Sequence, residues 1–111
     1  MRRVNPLDGR SESVERQFHK RMVGVYEHAR DETGYVATRF IQMVAEQGGV
    51  AAARQLLRGP PSDGFTALWE RGRLDLTVEA LILEPAFTDL FTDDERTIAR
   101  NRLEQYGYRR R

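Results

Sequence analysis

The sequence contains no cysteine, and this absence excludes several classes of chemistry at once. A disulfide, a zinc site with cysteine ligands, a thiol nucleophile and a thiolate-bound iron–sulfur cluster all require that residue. The 111 residues also include only two histidines, one tryptophan and four prolines. Any chemistry of this chain must therefore come mainly from carboxylates, arginines, hydroxyls, the two histidines and a few aromatic side chains.

Long apolar runs are also lacking. The most apolar stretch, around residues 81–83, is far shorter than the roughly 20 residues that a membrane-spanning helix needs. Arg2 and Arg3 resemble the start of a secretory signal, but Asn5 and Pro6 follow where an apolar run would be required. We therefore expect a cytoplasmic protein that does not associate with membranes.

Lysine is almost absent, because Lys20 is the only one among 18 basic residues and the others are arginines. Arginine's planar guanidinium suits phosphate, yet 17 acidic residues reduce the net charge to +1. The acids are concentrated in residues 62–91, where six of them accompany only Arg71 and Arg73. A partner would meet this acidic segment between mildly basic ones.

Apolar residues recur every three or four positions through most of the chain, which is the period of an amphipathic helix. Breakers such as Gly59-Pro60-Pro61 separate these stretches. We predict helices over residues 11–31, 35–47 and 50–58, and then between residues 62 and 72, 75 and 84, 85 and 91, and 92 and 107.

Several residues have the chemistry of helix caps. Asp8 or Ser11 is expected to cap the first helix, Ser62 or Asp63 the fourth, and Asp75 the fifth. The last helix has the strongest start signal, since residues 92–95 read Thr-Asp-Asp-Glu and fit the capping box.

These patterns predict one all-α domain of five to seven short helices with a longer N-terminal helix. The helical domain is expected over residues 11–107, with an N-terminal arm at residues 1–10 and a basic tail at residues 108–111. The predicted core residues are Phe18, Met22, Phe40, Val44, Leu56, Phe65, Leu68, Trp69, Val78, Leu81, Phe91, Ile98 and Leu103. Val36 is also expected to face inward.

No catalytic constellation is recognisable. His19 and His28 are nine residues apart on one predicted helix and therefore point to opposite faces. Each is expected to pair with a glutamate four residues away, His19 with Glu15 and His28 with Glu32. We predict that the protein is not an enzyme and binds no metal or cofactor.

Asp75 and Glu79 raise one alternative, because two carboxylates on one helical face could bind a hard cation such as magnesium. The competing interpretation is that Asp75 caps a helix, that Glu79 is solvated, and that Arg71 or Arg73 pairs with them. The absence of a third ligand favours this second interpretation.

Residues 41–58 are the best candidate for nucleic-acid binding. Ala45 and Gly49 are spaced as in the turn of a helix-turn-helix, although Gln55 stands where that motif prefers an apolar residue. The helix that begins near Val50 would present Ala51, Arg54, Gln55 and Arg58 to a groove. Two core helices joined by glycine explain the same pattern.

Trp69 is followed by two arginines, Arg71 and Arg73. Tryptophan beside arginine is typical of interface hot spots, and a buried anchor in the core is the alternative. We take Trp69, Arg71, Arg73 and Glu79 as the candidate partner-binding residues.

The stretches at residues 35–44, 48–53, 64–70 and 73–79 resemble a bacterial domain family of unassigned function, over about residues 35–107. Similar segments stand alone or end larger bacterial proteins, some of which carry nuclease or restriction-type domains. The resemblance implies an accessory module and supplies no catalytic residues.

The sequence therefore predicts a non-enzymatic module that binds an unknown protein partner. A small nucleic-acid-binding protein that uses residues 41–58 is the alternative, with Arg54, Gln55 and Arg58 as its contact residues.

Overall fold

A computed structural model of the protein describes residues 12–108. This part of the chain forms six α-helices and no strand, so the predicted all-α fold is confirmed. The helices are α1 (Val14–Thr33), α2 (Thr38–Gln47), α3 (Gly49–Arg58), α4 (Asp63–Glu70), α5 (Val78–Ile82) and α6 (Asp93–Gln105), with 3₁₀ helices at Leu74–Leu76 and Pro85–Leu90.

Over these residues, no helix is both long and apolar enough to cross a membrane. The predicted arm at residues 1–10 lies outside the described residues, as does the predicted tail after Tyr108.

Serine or threonine hydroxyl groups cap the N-termini of four of the helices. Ser13 caps α1 and accepts a hydrogen bond from the Arg16 N–H, whereas the predicted caps Asp8 and Ser11 lie outside the described residues. The predicted cap at Ser62 is confirmed for α4. The capping box between Thr92 and Glu95 is confirmed for α6, with both of its hydrogen bonds present.

The cap predicted at Asp75 is wrong. Thr77 stands directly before α5, and its hydroxyl accepts from the Ala80 N–H at 3.2 Å. Asp75 lies two residues too early, inside a 3₁₀ helix, where its carboxylate is held by Arg73.

The main core surrounds Phe18 on α1. Its ring meets the rings of Phe87 and Phe91 edge to face, with centroids 5.1 and 5.2 Å apart. A smaller cluster of Phe65, Leu74, Ala80 and Leu103 joins α4, α5 and α6. Each edge-to-face ring pair adds about 0.5–1.5 kcal/mol to the stabilisation from burial alone.

Three residues predicted to face inward do not. Ile98 is 41% exposed, because α6 turns its neighbour Ala99 inward instead. Trp69 is 45% exposed and lies edge-on to Tyr106. Val36 is 52% exposed, because α2 begins only at Thr38 and leaves Val36 in the preceding loop.

The acidic segment at residues 62–91 is partly neutralised by arginines in the folded structure. Three of its six acids pair with arginines, two of which come from other segments: Glu84 with Arg21 at 2.6 Å, Asp75 with Arg73 at 3.0 Å and Glu79 with Arg102 at 2.9 Å. The charge asymmetry of the sequence is therefore reduced on the folded surface.

Candidate functional site

An open cleft of about 460 Å³ is the more enclosed and more apolar of the candidate sites on the described surface. It lies between the second half of α1, the loop that follows it, the first turns of α2 and α4, and the start of α5. Its walls are mostly apolar and include Val25, Val36, Phe40, Met43, Phe65 and Leu68. This size and lining match the range in which proteins hold small molecules or the side chains of partners.

The loop at residues 34–37 forms one wall of the cleft. Gly34 ends α1 in the left-handed conformation, with φ of 79°, and its N–H bonds to the Arg30 carbonyl at 3.0 Å. This glycine cap turns the chain away from α1 at little steric cost. Tyr35, Val36 and Ala37 then pass along the cleft before α2 begins.

The polar groups of the cleft differ sharply in burial. Arg39 and Asp63 are exposed and carry opposite charges. The hydroxyl of Thr77 is already used, because it donates to the Leu74 carbonyl and caps α5. Glu79 is the one buried carboxylate of the lining, with a side chain only 4% exposed.

Glu79 is held by Arg102 of α6. One guanidinium nitrogen donates to Glu79 Oε2 at 2.9 Å and to the Leu56 carbonyl at 3.3 Å. The other terminal nitrogen donates to the Gly59 carbonyl at 2.6 Å. Arg102 thus joins α6, α5 and the C-terminal end of α3, whose carbonyls attract positive charge.

Burial raises the pKa of Glu79, and the hydrogen bond from Arg102 offsets part of that rise. Of the pairing expected between Arg71 or Arg73 and the carboxylates of Asp75 and Glu79, only that of Arg73 with Asp75 is confirmed, and the expectation that Glu79 is solvated is wrong. The reason is that α5 is only five residues long and every one of them is buried.

Asp75 and Glu79 do not form a shared cation site. Arg73 holds Asp75 through two hydrogen bonds of 3.0 Å and also pairs with Glu32 at 2.8 Å. This arginine keeps the pKa of Asp75 below its usual range. Residues 12–108 contain no group of three or more histidine and acidic residues placed to hold a metal ion.

The four sequence-derived partner-binding residues are separated by the fold. Glu79 lines the cleft from inside, and Arg71 lies over the ring of Tyr35, another lining residue, at 5.4 Å. Trp69 and Arg73 are not part of the lining. Trp69 remains exposed, whereas Arg73 is engaged by Glu32 and Asp75.

The three nucleic-acid candidates are also not equivalent. Arg54 donates to Glu95 at 3.1 Å and to the Leu90 carbonyl at 2.7 Å, so its guanidinium is held within the domain. Gln55 is exposed and accepts from Gln47 at 2.8 Å, and Arg58 is exposed.

The segment that carries them does not have the geometry of a helix-turn-helix. Gly48 alone connects α2 to α3, with φ of 88°, whereas that motif uses a turn of about 3–4 residues. The expected spacing of Ala45 and Gly49 therefore arises from a glycine that ends one helix and another that begins the next.

His19 has a role that its spacing from Glu15 does not suggest. Its Nδ1 accepts a hydrogen bond of 3.0 Å from the Gly49 N–H and so caps the start of α3. The predicted pairing of His28 with Glu32 is confirmed at 3.1 Å. A shallow groove beside His19 is lined by Arg16, Lys20 and Arg54.

Comparisons with protein-family models, curated proteins and solved structures find no match for this chain. The geometry of its own residues is therefore the basis for any functional conclusion.

Proposed function

We propose that this protein is a cytoplasmic, non-enzymatic interaction module that receives an apolar side chain of a protein partner in the cleft. The observation that carries the proposal is the open apolar cleft itself, with Val36 half exposed at its wall. The separate engagement of Asp75 and Glu79 by arginines supports binding over catalysis.

The energetics of burial favour this use of the cleft. Burying a side chain such as Leu or Phe contributes about 1.5–3 kcal/mol, and a few such anchors dominate the affinity of most interfaces. Phe40, Met43 and Phe65 supply apolar surface for an anchor. Arg39 and Asp63 lie among the same lining residues and can form a polar rim.

Val36→Asp tests the proposal, because it places a charge on the apolar wall at an exposed loop position. We expect the tagged variant to recover the partner from the native host at least about tenfold less efficiently than the wild type, since one buried unpaired charge costs well over 1.4 kcal/mol. Quantitative mass spectrometry of the purified complexes measures this loss.

Val14→Asp is the matched control. Val14 is 40% exposed at the start of α1 and does not line the cleft, so partner recovery should stay at the wild-type level. A partner that is recovered equally well by wild type and Val36→Asp would rule out the cleft as its binding site.

We propose nucleic-acid binding as the second candidate, supported by the shallow groove between α1 and the start of α3. Arg16, Lys20 and Arg54 line it, with Glu15 as the acid among the lining residues. Arg58 is exposed further along α3 and could extend the same contact to a phosphate backbone.

Arg16→Ala and Arg58→Ala test this second candidate. If each arginine contacts a phosphate, each variant should weaken binding to a labelled DNA duplex uniformly across sequences. It should also reduce the slope of log K against log salt by about one unit. Gel shifts in low salt measure both effects, and wild-type affinity in the two variants would contradict nucleic-acid binding through these residues.

A further inference from the structure

We propose that acid loosens α3 from α1, because a hydrogen bond that joins the two helices requires a neutral His19 ring. This bond runs from the backbone N–H of Gly49, at the start of α3, to Nδ1 of His19 on α1, over 3.0 Å. The response to pH is a property of the fold and does not depend on the function proposed for the cleft.

The direction of the hydrogen bond sets the protonation state of His19. A backbone N–H can only donate, so Nδ1 must offer its lone pair, and the single proton of the neutral ring lies on Nε2. Protonation of the ring would place a second N–H at Nδ1, directly facing the N–H of Gly49. Two donors cannot form a hydrogen bond with each other, so the protonated ring has to move away from the start of α3.

The N–H of Gly49 has no acceptor besides His19 among residues 12–108. Gly49 is the first residue of α3, and the first N–H groups of a helix have no partner inside it. The residue is buried, and a Cβ at this position would lie 2.7 Å from Cα of His19, so the two backbones are in close contact. Loss of the acceptor therefore leaves a buried donor unpaired unless α3 moves and admits water.

The charges around His19 do not reverse this effect. Arg16, Lys20 and Arg54 line the groove beside the ring together with Glu15, and the end of α2 adds no charged residue to this lining within the described chain. Lys20 and Arg54 each have an acidic partner of their own, which leaves Arg16 and Glu15 with opposite charges. The positive end of the α3 dipole also disfavours a protonated ring. The contact is therefore complete when histidine is neutral and weakens as pH falls through the range of about 8 to 5.

His28, on the same helix, responds to acid in the opposite way. Its Nδ1 lies 3.1 Å from Oε2 of Glu32, an acceptor, so protonation of this ring adds a charge to the hydrogen bond and strengthens it. Helix α1 thus carries one histidine contact that acid breaks and one that acid strengthens. His28 is therefore the natural control for His19.

Hydrogen exchange of the Gly49 amide, measured by NMR on the whole ¹⁵N-labelled protein, tests the proposal. Protection is taken as the exchange rate of an unstructured chain at the same pH divided by the observed rate. We expect the protection of Gly49 to fall by at least about fivefold between pH 8 and pH 5, since a buried donor without its acceptor is costly. The ring nitrogens of His19 should show an unprotonated Nδ1 at pH 8.

Two matched variants assign the response to one histidine. His19→Asn keeps an acceptor, because Oδ1 of asparagine is the same number of bonds from Cα as Nδ1 of histidine, and asparagine does not titrate. Protection of Gly49 in this variant should be the same at pH 8 and pH 5. His28→Asn should show the full wild-type fall.

Equal protection of Gly49 at the two pH values in the wild type would overturn the proposal. A fall that persists in His19→Asn, or one that disappears in His28→Asn, would also overturn it. If His19→Asn does not fold, the wild-type ring decides, because a proton on Nδ1 of His19 at pH 8 is incompatible with the hydrogen bond from Gly49.

Discussion

Arg102→Met is expected to lower the free energy of unfolding by about 3–5 kcal/mol, the usual cost of leaving a buried charge without its partner. The substitution keeps an unbranched side chain of similar length, so the loss reports charge and hydrogen bonding more than volume. Glu79 would lose its counter-ion, and the carbonyls of Leu56 and Gly59 would lose their donor. Urea denaturation followed by circular dichroism measures the change. With a total stability of about 5–15 kcal/mol for a typical domain, this is the most damaging single substitution that we expect.

The pH dependence of that loss separates charge from packing. Burial raises the pKa of Glu79 above its unfolded value of about 4.3. Folding therefore favours the protonated form of Glu79. The stability that this preference contributes is fully present below the unfolded pKa and is lost as pH rises through the folded pKa. Without Arg102 the folded pKa rises further, so the deficit of Arg102→Met should be largest at about pH 8 and smaller at about pH 5.

A double substitution supplies the matched control. Glu79→Leu combined with Arg102→Met removes both charges, and apolar replacement of a buried pair is often neutral or stabilising. The double variant should therefore be clearly more stable than Arg102→Met alone. An equal deficit at the two pH values, together with no recovery in the double variant, would contradict a structural role for this ion pair.

Gly49→Ala is expected to destabilise the protein by about 1–3 kcal/mol, the usual cost of overpacking. A Cβ at this position would lie 2.7 Å from the backbone Cα of His19 and 3.2 Å from Cγ of Met22. Because the nearest atom belongs to the backbone, α3 must move away from α1. That shift would stretch the hydrogen bond from the Gly49 N–H to His19, now 3.0 Å long. Thermal and urea unfolding measure the loss.

Gly24→Ala makes the same chemical change with the opposite expected sign. Gly24 lies inside α1, and its nearest neighbour to a new Cβ is a side-chain atom of His28 at 3.9 Å, which is ordinary contact. Relative to glycine, alanine should stabilise the helix there by about 0.5–1 kcal/mol. If both variants change stability in the same direction, the close approach of α3 to α1 is not what selects glycine at position 49.

Local chemistry explains which parts of the fold could be predicted. Ser62, the Thr92–Glu95 capping box and the breaker at residues 59–61 act on backbone groups within about one helical turn. Their effect can therefore be read from the order of residues alone. Asp75 does not act as a cap because Thr77 and Arg73, also close in sequence, compete for the helix start and for its carboxylate.

The cleft could not be predicted, because its lining comes from several helices between residues 25 and 79 that meet only when they pack together. Helical periodicity places Val36 on an inward face, and no pattern distinguishes Arg39 from any other exposed arginine. The spacing of Glu79 from Asp75 draws attention to this carboxylate, yet its surroundings depend on Arg102, 23 residues further along the chain. No rule of helical spacing connects two residues on different helices.

The sequence by itself determined that this protein is helical and where most helices end, because periodicity and capping are local properties of the chain. It also determined the absence of thiol chemistry. Only the tertiary structure decided which charges are buried and which apolar side chains stay exposed, because both depend on how separate helices pack. That packing placed Arg102 against Glu79, brought Gly49 onto His19 and left Val36 and Trp69 partly open to solvent.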